Sequence, residues 1–457
     1  MSELPEGWEE VPLSMLCIFN PRHNSSEDRK QEISFVPMPA VSDTGGRIED
    51  HGTKVLGDVW KGYTHFQEGD VIFAKITPCM ENGKIAVARG LHGGIACGST
   101  EFHVLRPFTG VNAKYLWYFL RQRDFRIEAE RHMTGAVGQR RVPKAYLEKY
   151  IIPLPPANEQ CRIVTKLDSL FEHTRRAREE LSHIPRLIEN YKKTILEAAF
   201  RGDLTKDWRG TKELVGWHKK PLSKLLAEPL ANGRSVPDGN GFPVLRLTAL
   251  RNQILDLSER KLGNWDRSQA ARYIVQSGDF FVSRGNGSLD LVARGSYIEA
   301  VDEEVAFPDT MIRIRPDHAK IYTPLLYHQW SDVGVRSQIV SMAKTTAGIY
   351  KVSQSDLNRV QLIVPPLEEQ RKIVRRVEET LNWLDAVGVE QRQATYLLDH
   401  LDQANLAKAF HGELVSQDPN DEPATVLLER IQADRAAPPC ARRGRREKAV
   451  TTQEATA

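Results

Sequence analysis

The sequence has 457 residues, of which 40% are hydrophobic and 27% charged, and its formal net charge is +3. This composition is that of a globular, core-forming protein and excludes a collagen-like, mainly disordered or wholly coiled-coil chain. No apolar run reaches the roughly 18 residues of a membrane span, and the N-terminus is not expected to be a signal peptide. The five scattered cysteines form no CxxC pair, which indicates a reducing compartment and, most simply, the cytoplasm.

The positive charge is concentrated at the C-terminal end. Residues 431–457 carry six basic and three acidic residues, so the rest of the chain balances at 57 basic against 57 acidic. The overall charge therefore does not identify a nucleic-acid binder, and such a function must rest on local basic loops. We predict a disordered basic tail over residues 416–457, either a simple solvated end or a weak accessory DNA contact.

The first 150 residues predict a mixed α/β fold. Val71–Ala74 and Phe102–Leu105 are short apolar runs bounded by Gly, Pro and Asn, as strands are. Val111–Glu130 has large apolar residues at helical spacing, which predicts a helix packed on the sheet rather than a base-stacking surface.

Two loops of this first part could contact DNA. Arg and Lys suit guanine, Asn suits adenine, and Gly lets backbone amides approach phosphates. One loop follows the strand Val71–Ala74 and the other precedes residue 142; their candidate DNA-binding residues are Lys75, Thr77, Asn82 and Lys84, and Gln139, Arg140 and Arg141.

A long helical pattern begins after Pro155-Pro156. Apolar residues recur at alternating steps of four and three, which is the heptad seam of a coiled coil. About 40 residues would form a rod of roughly 60 Å, and Pro185 should kink or restart the helix. Together with the equivalent seam near the C-terminus, the predicted packing residues are Ile163, Leu167, Leu170, Leu181, Ile188, Ile373, Val377, Leu384, Leu398 and Leu401.

The chain is a tandem duplication. The segment 155–204 matches 365–414 without a gap at an offset of 210 positions, and weaker matches occur throughout the preceding parts at an offset of 209. The period is far too long for a solenoid and indicates a pseudo-symmetric molecule with two equivalent working surfaces. Two helices in one chain could satisfy each other's apolar seams by packing antiparallel, which would hold the two halves apart.

The second copy has loops at the equivalent positions but with different residues. The candidates there are Arg284, Asn286 and Ser288 in one loop, and Lys344, Thr345, Thr346, Tyr350 and Lys351 in the other. Two surfaces of the same design but different residues are what an asymmetric target in two parts requires.

Chemistry of a self-sufficient enzyme is not evident. The sequence has no phosphate-binding GxxxxGK[ST] loop, no NPPY-like methyltransferase tetrapeptide, no HExxH and no paired Cys/His metal spacing. Asp238, Glu259 and Lys261 fit the degenerate PD…ExK pattern of metal-dependent nucleases, although Asp238 also lies in a turn-like context. A nuclease centre there and a scaffold that binds only protein remain the alternatives to a DNA reader.

The chain resembles the specificity subunit of type I restriction–modification systems. The resemblance extends to about residue 415 and rests on IIPLPPANEQCRIV and QLIVPPLEEQRKIV, the closing motifs AAFRGDL and KAFHGEL, and the stretches GDVIFAKITPCMENGK and GSTEFHVLRP. The second half departs from the pattern where Gly285–Ser288 replace the Ile-Thr-Pro stretch.

The resemblance implies an α+β (mixed) protein with two α/β target recognition domains separated by an antiparallel coiled coil of two long conserved helices. The implied segments are residues 1–154 and 206–364 for the two domains, 155–205 and 365–415 for the helical spacers, and 416–457 for the tail.

The resemblance also implies a function and partners. Each domain binds one half of a split double-stranded DNA target, and the helices dock two methyltransferase subunits, which restriction subunits join. S-adenosylmethionine, ATP and Mg²⁺ then belong to those partners. The chain itself is expected to bind no cofactor or metal, and to be non-catalytic.

Overall fold

The computed structural model describes residues 4–211, 213–346 and 348–436. The chain divides into two compact units, one of Met1–Glu179 with Ala394–Ala457 and one of Glu180–Gln393. Each unit therefore holds one mixed α/β half together with a part of each of two long helices. Within the described residues, none of the helices is long and apolar enough to cross a membrane.

The described residues of the first unit form ten strands in three sheets. Two sheets have four strands each, in the orders β2-β9-β6-β7 and β4-β3-β8-β5, and the third is the antiparallel pair β1-β10. The strands are β1 (Glu9–Pro12), β2 (Cys17–Phe19), β3 (Glu32–Val36), β4 (Gly52–Val55), β5 (Thr64–Gln67), β6 (Val71–Ala74), β7 (Ile85–Val87), β8 (Ile95–Gly98), β9 (Phe102–Pro107) and β10 (Ile151–Leu154). The helices are α1 (Leu56–Val59), α2 (Ala113–Leu120), α3 (Arg123–Arg131), α4 (Lys144–Lys149) and the long α5 (Ala157–Phe200), which continues into the second unit.

The second unit repeats this plan. Its main sheet has the order β12-β18-β15-β17, accompanied by the pairs β11-β21 and β13-β14 and the small sheet β16-β20-β19. The strands are β11 (His218–Pro221), β12 (Leu226–Asn232), β13 (Asp238–Leu245), β14 (Arg260–Gly263), β15 (Phe280–Ser283), β16 (Gly285–Asn286), β17 (Gly295–Tyr297), β18 (Met311–Pro316), β19 (Lys344–Thr346), β20 (Ile349–Lys351) and β21 (Gln361–Val364). The helices are α6 (Lys206–Arg209), α7 (Arg267–Ala270), α8 (Thr323–Ser331), α9 (Val333–Met342), α10 (Gln354–Asn358) and the long α11 (Leu367–Phe410), which continues into the first unit, where α12 (Ala424–Ala436) follows.

The duplication read from the sequence is confirmed in the main sheet and in the strand that precedes each long helix. Strands β6 and β9 begin 209 positions before β15 and β18, and β10 and α5 begin 210 positions before β21 and α11. The ion pair Asp70–Arg106 of the first unit recurs as Asp279–Arg315 in the second. Equivalent residues thus build equivalent sheets in the two units.

The repeated Glu-Gln of each long helix fastens that helix to its α/β half. Trp8 donates its indole N–H to the buried carboxylate of Glu159 at 3.0 Å, and Trp217 does the same to Glu369 at 2.8 Å. The side-chain oxygen of Gln160 accepts the backbone N–H of Asn112 just before α2, as that of Gln370 accepts Tyr322 before α8. A buried polar group needs such partners, which explains why these residues occur in both copies.

Each α/β half also packs on the end of the other long helix. In the first unit, Phe410 at the end of α11 lies 5.1 Å from the rings of Tyr115 and Phe119. In the second unit, Ala199 and Phe200 at the end of α5 join one apolar cluster with Leu325. The Ala-Phe pairs of the closing motifs AAFRGDL and KAFHGEL are therefore core residues, each pair buried in the unit that the other helix starts from.

The two long helices contact each other in both units. In the first unit Arg178 pairs with Asp402 at 2.7 Å. In the second unit Lys192 pairs with Asp385 at 2.9 Å, and Ala199 and Phe200 share a cluster with Val374 and Val377. Residues later in α5 thus contact residues earlier in α11, which confirms that the two helices pack antiparallel. Helix α5 runs unbroken through Pro185, so the expected restart at that residue is wrong.

Nine of the ten predicted packing residues are buried or half-buried. Leu401 is a correction, because 48% of its surface is exposed. A helix turns about 100° per residue, so the stripe that passes Leu398 continues through Asp402 to the buried Leu406 and leaves Leu401 to one side. Of the other predicted packing residues, Leu170, Leu181 and Leu398 are half-buried, and Ile163, Leu167, Ile188, Ile373, Val377 and Leu384 are buried.

Two further predictions are corrected. The single helix expected over Val111–Glu130 is the two helices α2 and α3, because Gln122 adopts an extended ψ of 139°. The tail expected to be disordered from residue 416 contains α12, whose Ala424, Leu427 and Ile431 are buried in the core of the first unit. Residues 437–457, the rest of that prediction, lie outside the described residues.

Candidate nucleic-acid interface

The two candidate loops of the first unit lie side by side. Strand β6 delivers the first loop, and backbone hydrogen bonds tie it to the second: Thr77 N–H donates to Arg140 O at 3.0 Å, and Val142 N–H donates to Lys75 O at 2.9 Å. An isolated β-bridge also joins Ile76 to Arg141. Loops more than 50 residues apart in sequence thus form one edge, which we call the first loop edge (residues 75–84 and 134–141).

Five of its seven candidate side chains already have partners in the protein. The Lys75 ammonium donates to Thr100 O and that of Lys84 to Val41 O, both at 2.7 Å. The Thr77 hydroxyl donates to Glu81 at 2.7 Å, and Arg140 pairs with Glu130 at 3.0 Å. These contacts, with the ion pair of Arg141 described next, shape the loop edge.

Arg141 forms the most extended of these contacts. Two of its guanidinium nitrogens donate to the two carboxylate oxygens of Glu101, each at 2.9 Å. This bidentate pair holds the pKa of the Glu101 carboxyl below its ordinary value, while burial partly opposes that shift. Lys75 is also partly buried, and because burial disfavours the charged ammonium, it lowers the pKa of Lys75.

Asn82 and Gln139 are the candidates whose side chains remain available. Both are exposed, and within the described residues neither side-chain amide makes a hydrogen bond. An amide group offers a donor and an acceptor together, which matches the major-groove edge of adenine. Asn82 and Gln139 are therefore available to contact DNA, whereas the other five candidates support the loop edge.

Two arginines missed in the sequence hold this edge in place. Arg121 donates to Gly83 O at 3.1 Å and to Thr44 O at 3.0 Å, and Arg126 donates to Glu81 O. Burial lowers the pKa of Arg121 to about 10. Their partners lie 38 to 77 positions away in the sequence, so no local pattern could have identified them.

Val137 lies at the tip of the second loop with its side chain fully exposed. Gly135 and Gly138 flank it with φ angles of 121° and 80°, which side chains larger than hydrogen rarely adopt. The glycines thus shape a tight turn that carries one apolar side chain into solvent.

The second unit also joins its two candidate loops. Strand β16 pairs with β20, with Gly285 opposite Lys351 and Asn286 opposite Tyr350, and β20 pairs with β19. We call this the second loop edge (residues 284–288 and 344–351, except Ala347, which lies outside the described residues). A small sheet here replaces the bridged loops of the first unit.

The second loop edge presents more unpaired charge. Arg284, Lys344 and Lys351 are exposed, and none of them forms an ion pair within the described residues. Asn286 accepts the backbone N–H of Ser288 at 3.0 Å, and Tyr350 is half-buried against the core. Of the remaining candidates, Ser288 and Thr345 are exposed and Thr346 ends β19, its side chain lying outside the described residues.

The PD…ExK residues do not form a metal-binding group. Lys261 is ion-paired to Asp238, and Glu259 accepts a hydrogen bond from Thr248. Among the described residues, the single group of three potential metal ligands lies elsewhere in the structure. The nuclease alternative therefore has no geometric support.

Comparisons with known proteins agree on one family. The family model of the type I restriction modification DNA specificity domain matches residues 5–185 and 235–387. The specificity subunit of the type I restriction enzyme StySPI from Salmonella potsdam is 30% identical over 95% of this chain and 96% of its own length. That of EcoEI from Escherichia coli is 28% identical over 88% and 82%.

Solved structures share the fold. The HsdS subunit from Thermoanaerobacter tengcongensis matches with a TM-score of 0.64 and 22% identity, over 90% of this chain and 98% of its own. A chain from a study of complex assembly and conformational transition of the type I R-M system matches with a TM-score of 0.67 and 22% identity, over 91% and 100%.

Proposed function

The chain belongs to the type I restriction–modification DNA specificity family, and from that premise we propose that it reads a split DNA target, one part with each loop edge. It is the non-catalytic subunit that recognises the DNA target and directs the restriction–modification complex to it. The division of the target into two parts and the residues that read it are the proposal.

The observation that carries the proposal is the equivalence of the two loop edges. Each follows the same strand of the same sheet, β6 in one unit and β15 in the other, and each joins two loops of its unit by backbone pairing. The exposed residues differ, with the amides of Asn82 and Gln139 on one edge and the cations Arg284, Lys344 and Lys351 on the other. Equivalent placement with different side chains suits a target whose two parts differ.

Affinity and specificity would come from different groups. Exposed Lys and Arg side chains neutralise phosphates, which strengthens binding without regard to sequence and makes it sensitive to salt. Asn82 and Arg284 have the chemistry to read base edges, each good bidentate contact contributing about 1–3 kcal/mol of discrimination.

Other subunits of the system would dock on the long helices. Tyr191 of α5 and Trp383 of α11 are 61% and 62% exposed, and Leu187 and Val389 are also exposed. Apolar patches that stay exposed on a protein surface commonly serve as binding sites for other proteins. We propose that two methyltransferase subunits bind these helices, that restriction subunits join them, and that S-adenosylmethionine, ATP and Mg²⁺ act in those partners.

A cytoplasmic location is part of the proposal. The target is DNA, and Cys17, Cys79, Cys97 and Cys161 are free thiols, the form that a reducing compartment maintains.

Mapping of methylated bases in the source cell tests the proposal. Deletion of the gene for this chain should abolish methylation at one split motif, and re-expression should restore it at the same motif. Survival of every motif, or loss of an uninterrupted one, would contradict the proposal. A gel shift with the methyltransferase subunits present separates a DNA reader from a scaffold that binds only protein, because only the reader shifts the target DNA.

A further inference from the structure

Two buried histidines and a buried cysteine meet inside the first unit. His65 on β5 and Cys97 on β8 are directly opposite each other in an antiparallel pair, so their side chains point to the same face of the sheet. His23, from the segment between β2 and β3, stacks on His65 with 4.6 Å between the ring centroids. One potential ligand atom from each of the three residues lies within 4.8 Å of the others.

Hydrogen bonds fix the protons of both imidazoles. His23 Nε2 lies 2.9 Å from Ala96 O, and His65 Nε2 lies 2.9 Å from Trp60 O. A carbonyl oxygen only accepts, so Nε2 carries the proton in each ring and Nδ1 of the neutral ring keeps its lone pair. Metal-binding histidines are oriented in the same way, with the other ring N–H donated to a carbonyl or carboxylate.

The second unit shows that the fold does not require these polar groups. In it, Ile274 and Ala306 form the equivalent antiparallel bridge, 209 positions after His65 and Cys97. Described residues of that unit include no cysteine. An apolar pair is thus sufficient to pack this position, so packing alone does not account for the two histidines and the cysteine of the first unit.

We propose that His23, His65 and Cys97 form a zinc-binding site. Two imidazole nitrogens and a thiolate are ligands that Zn²⁺ prefers, at about 2.0–2.1 Å for nitrogen and about 2.3 Å for sulfur. Binding would release the thiol proton of Cys97, and at His65 Nδ1 the ion would replace the hydrogen bond from His23 N, which is 3.2 Å long. The ion would fasten the segment before β3 to the strands β5 and β8.

This site departs from the sequence-based expectation that the chain itself binds no metal. The ligands are 42 and 32 positions apart, far from the short paired spacings that identify zinc sites in a sequence. The site is also independent of the proposed DNA function, because it concerns how the first unit is held together.

Metal analysis of the purified full-length chain tests the proposal. After expression with zinc and gel filtration, inductively coupled plasma mass spectrometry should find about one zinc ion per folded chain, retained because binding is coupled to folding. The double variant His65→Ile/Cys97→Ala, which installs the pair found in the second unit, should contain none. The matched controls Cys79→Ala and Cys161→Ala should keep the full content. A wild-type chain without stoichiometric zinc, or a double variant that retains it, would overturn the proposal.

A second measurement keeps the test decisive if the double variant does not fold. Co²⁺ added to metal-free wild-type chain should give a thiolate-to-cobalt absorption band. In enough urea to expose the buried Cys97 transiently, bound Zn²⁺ should slow its alkylation, while the exposed Cys161 reacts equally with and without zinc. Absence of the band, or equal alkylation of Cys97 with and without zinc, would equally overturn the proposal.

Discussion

Glu159 and Glu369 show how one residue type acquires different surroundings in two equivalent places. Glu159 accepts the Trp8 indole, and one of its oxygens is buried without a hydrogen-bond partner in the described structure. Burial raises its pKa, an effect that the Trp8 hydrogen bond opposes. Glu369 accepts Trp217 but also Thr205 and Arg209. The first carboxylate therefore depends more on its tryptophan than the second.

Replacement of Trp8 by Phe should destabilise the first unit in a pH-dependent way. The loss of a hydrogen bond to a charged group costs about 1.5–3 kcal/mol, and without it the folded-state pKa of Glu159 rises further. The loss of stability is therefore largest at a pH where Glu159 is ionised. As pH falls through the folded-state pKa of Glu159, the folded chain takes up a proton and the loss of stability becomes smaller. Urea unfolding at pH 7.5 and at pH 5 measures this difference.

Trp217→Phe is the matched control for that experiment. Because Arg209 and Thr205 remain on Glu369, we expect a smaller loss of stability. An equal loss in the two variants, or a loss at Trp8 that grows towards low pH, would contradict this account of the two carboxylates.

At the residue scale, Asn82 and Arg284 should each read a different part of the DNA target. Asn82→Ala should relax or weaken recognition of one part of the target by about 1–3 kcal/mol, roughly 5- to 150-fold in Kd, while the other part is read as before. Arg284→Ala should do the converse. Binding of the assembled complex to DNA libraries randomised in each part measures both effects. Asn190→Ala, an exposed Asn of α5, should change neither part, and any variant that alters both parts equally would argue against separate reading.

At the scale of secondary-structure elements, the important property of α5 and α11 is their length. Both helices have 44 residues, and each starts in one unit and ends in the other. Glu-Gln pairs fasten their starts and Ala-Phe pairs fasten their ends. Besides docking other subunits, we propose that they set the distance between the two parts of the target.

Insertion of two helical turns into both helices should widen the gap in the target. Seven residues after Leu181 in α5 and seven after Gln393 in α11 keep the heptad register and add about 10 Å of helix, close to three base pairs at about 3.4 Å each. Mapping of methylated bases should then show the two original half-sites separated by a longer gap. An unchanged gap, or altered half-site sequences, would exclude the helices as the spacer.

The whole molecule is two equivalent units that share two helices. Removal of residues 206–457 takes Phe410 away from Tyr115 and Phe119 of the first unit. The remaining half keeps Phe200 in the equivalent motif, so a second copy offers the missing helix end. We expect this half-chain to form a homodimer that reads a symmetric target.

Light scattering gives the mass of that half-chain, and a gel shift with methyltransferase subunits gives its target. Phe200→Asp in the half-chain should abolish the dimer, because a buried carboxylate would lack partners in the apolar site. Unchanged recognition of the original asymmetric target by a monomeric half would refute the two-reader organisation.

The sequence by itself determined the duplication, the two long helices and the positions of the candidate loops. Those features depend on local periodicity and on repeated residues such as Gln160 and Gln370, which can be recognised in the sequence alone. It also determined the family, because the repeated motifs are specific. Prediction from the sequence failed where the local pattern was weak. It missed the helix α12, which has three buried residues, and it placed Leu401 in the seam where Asp402 lies.

Only the tertiary structure decided which loop residues are available and which are already bound. Arg141 looks like a free cation in the sequence, but Glu101, 40 positions away, pairs with it, whereas Asn82 has no such partner among the described residues. The meeting of His23, His65 and Cys97 was equally hidden. The physical reason is the same in each case: hydrogen bonds and ion pairs join atoms that are close in space, and the fold alone brings distant positions of the chain within 3 Å.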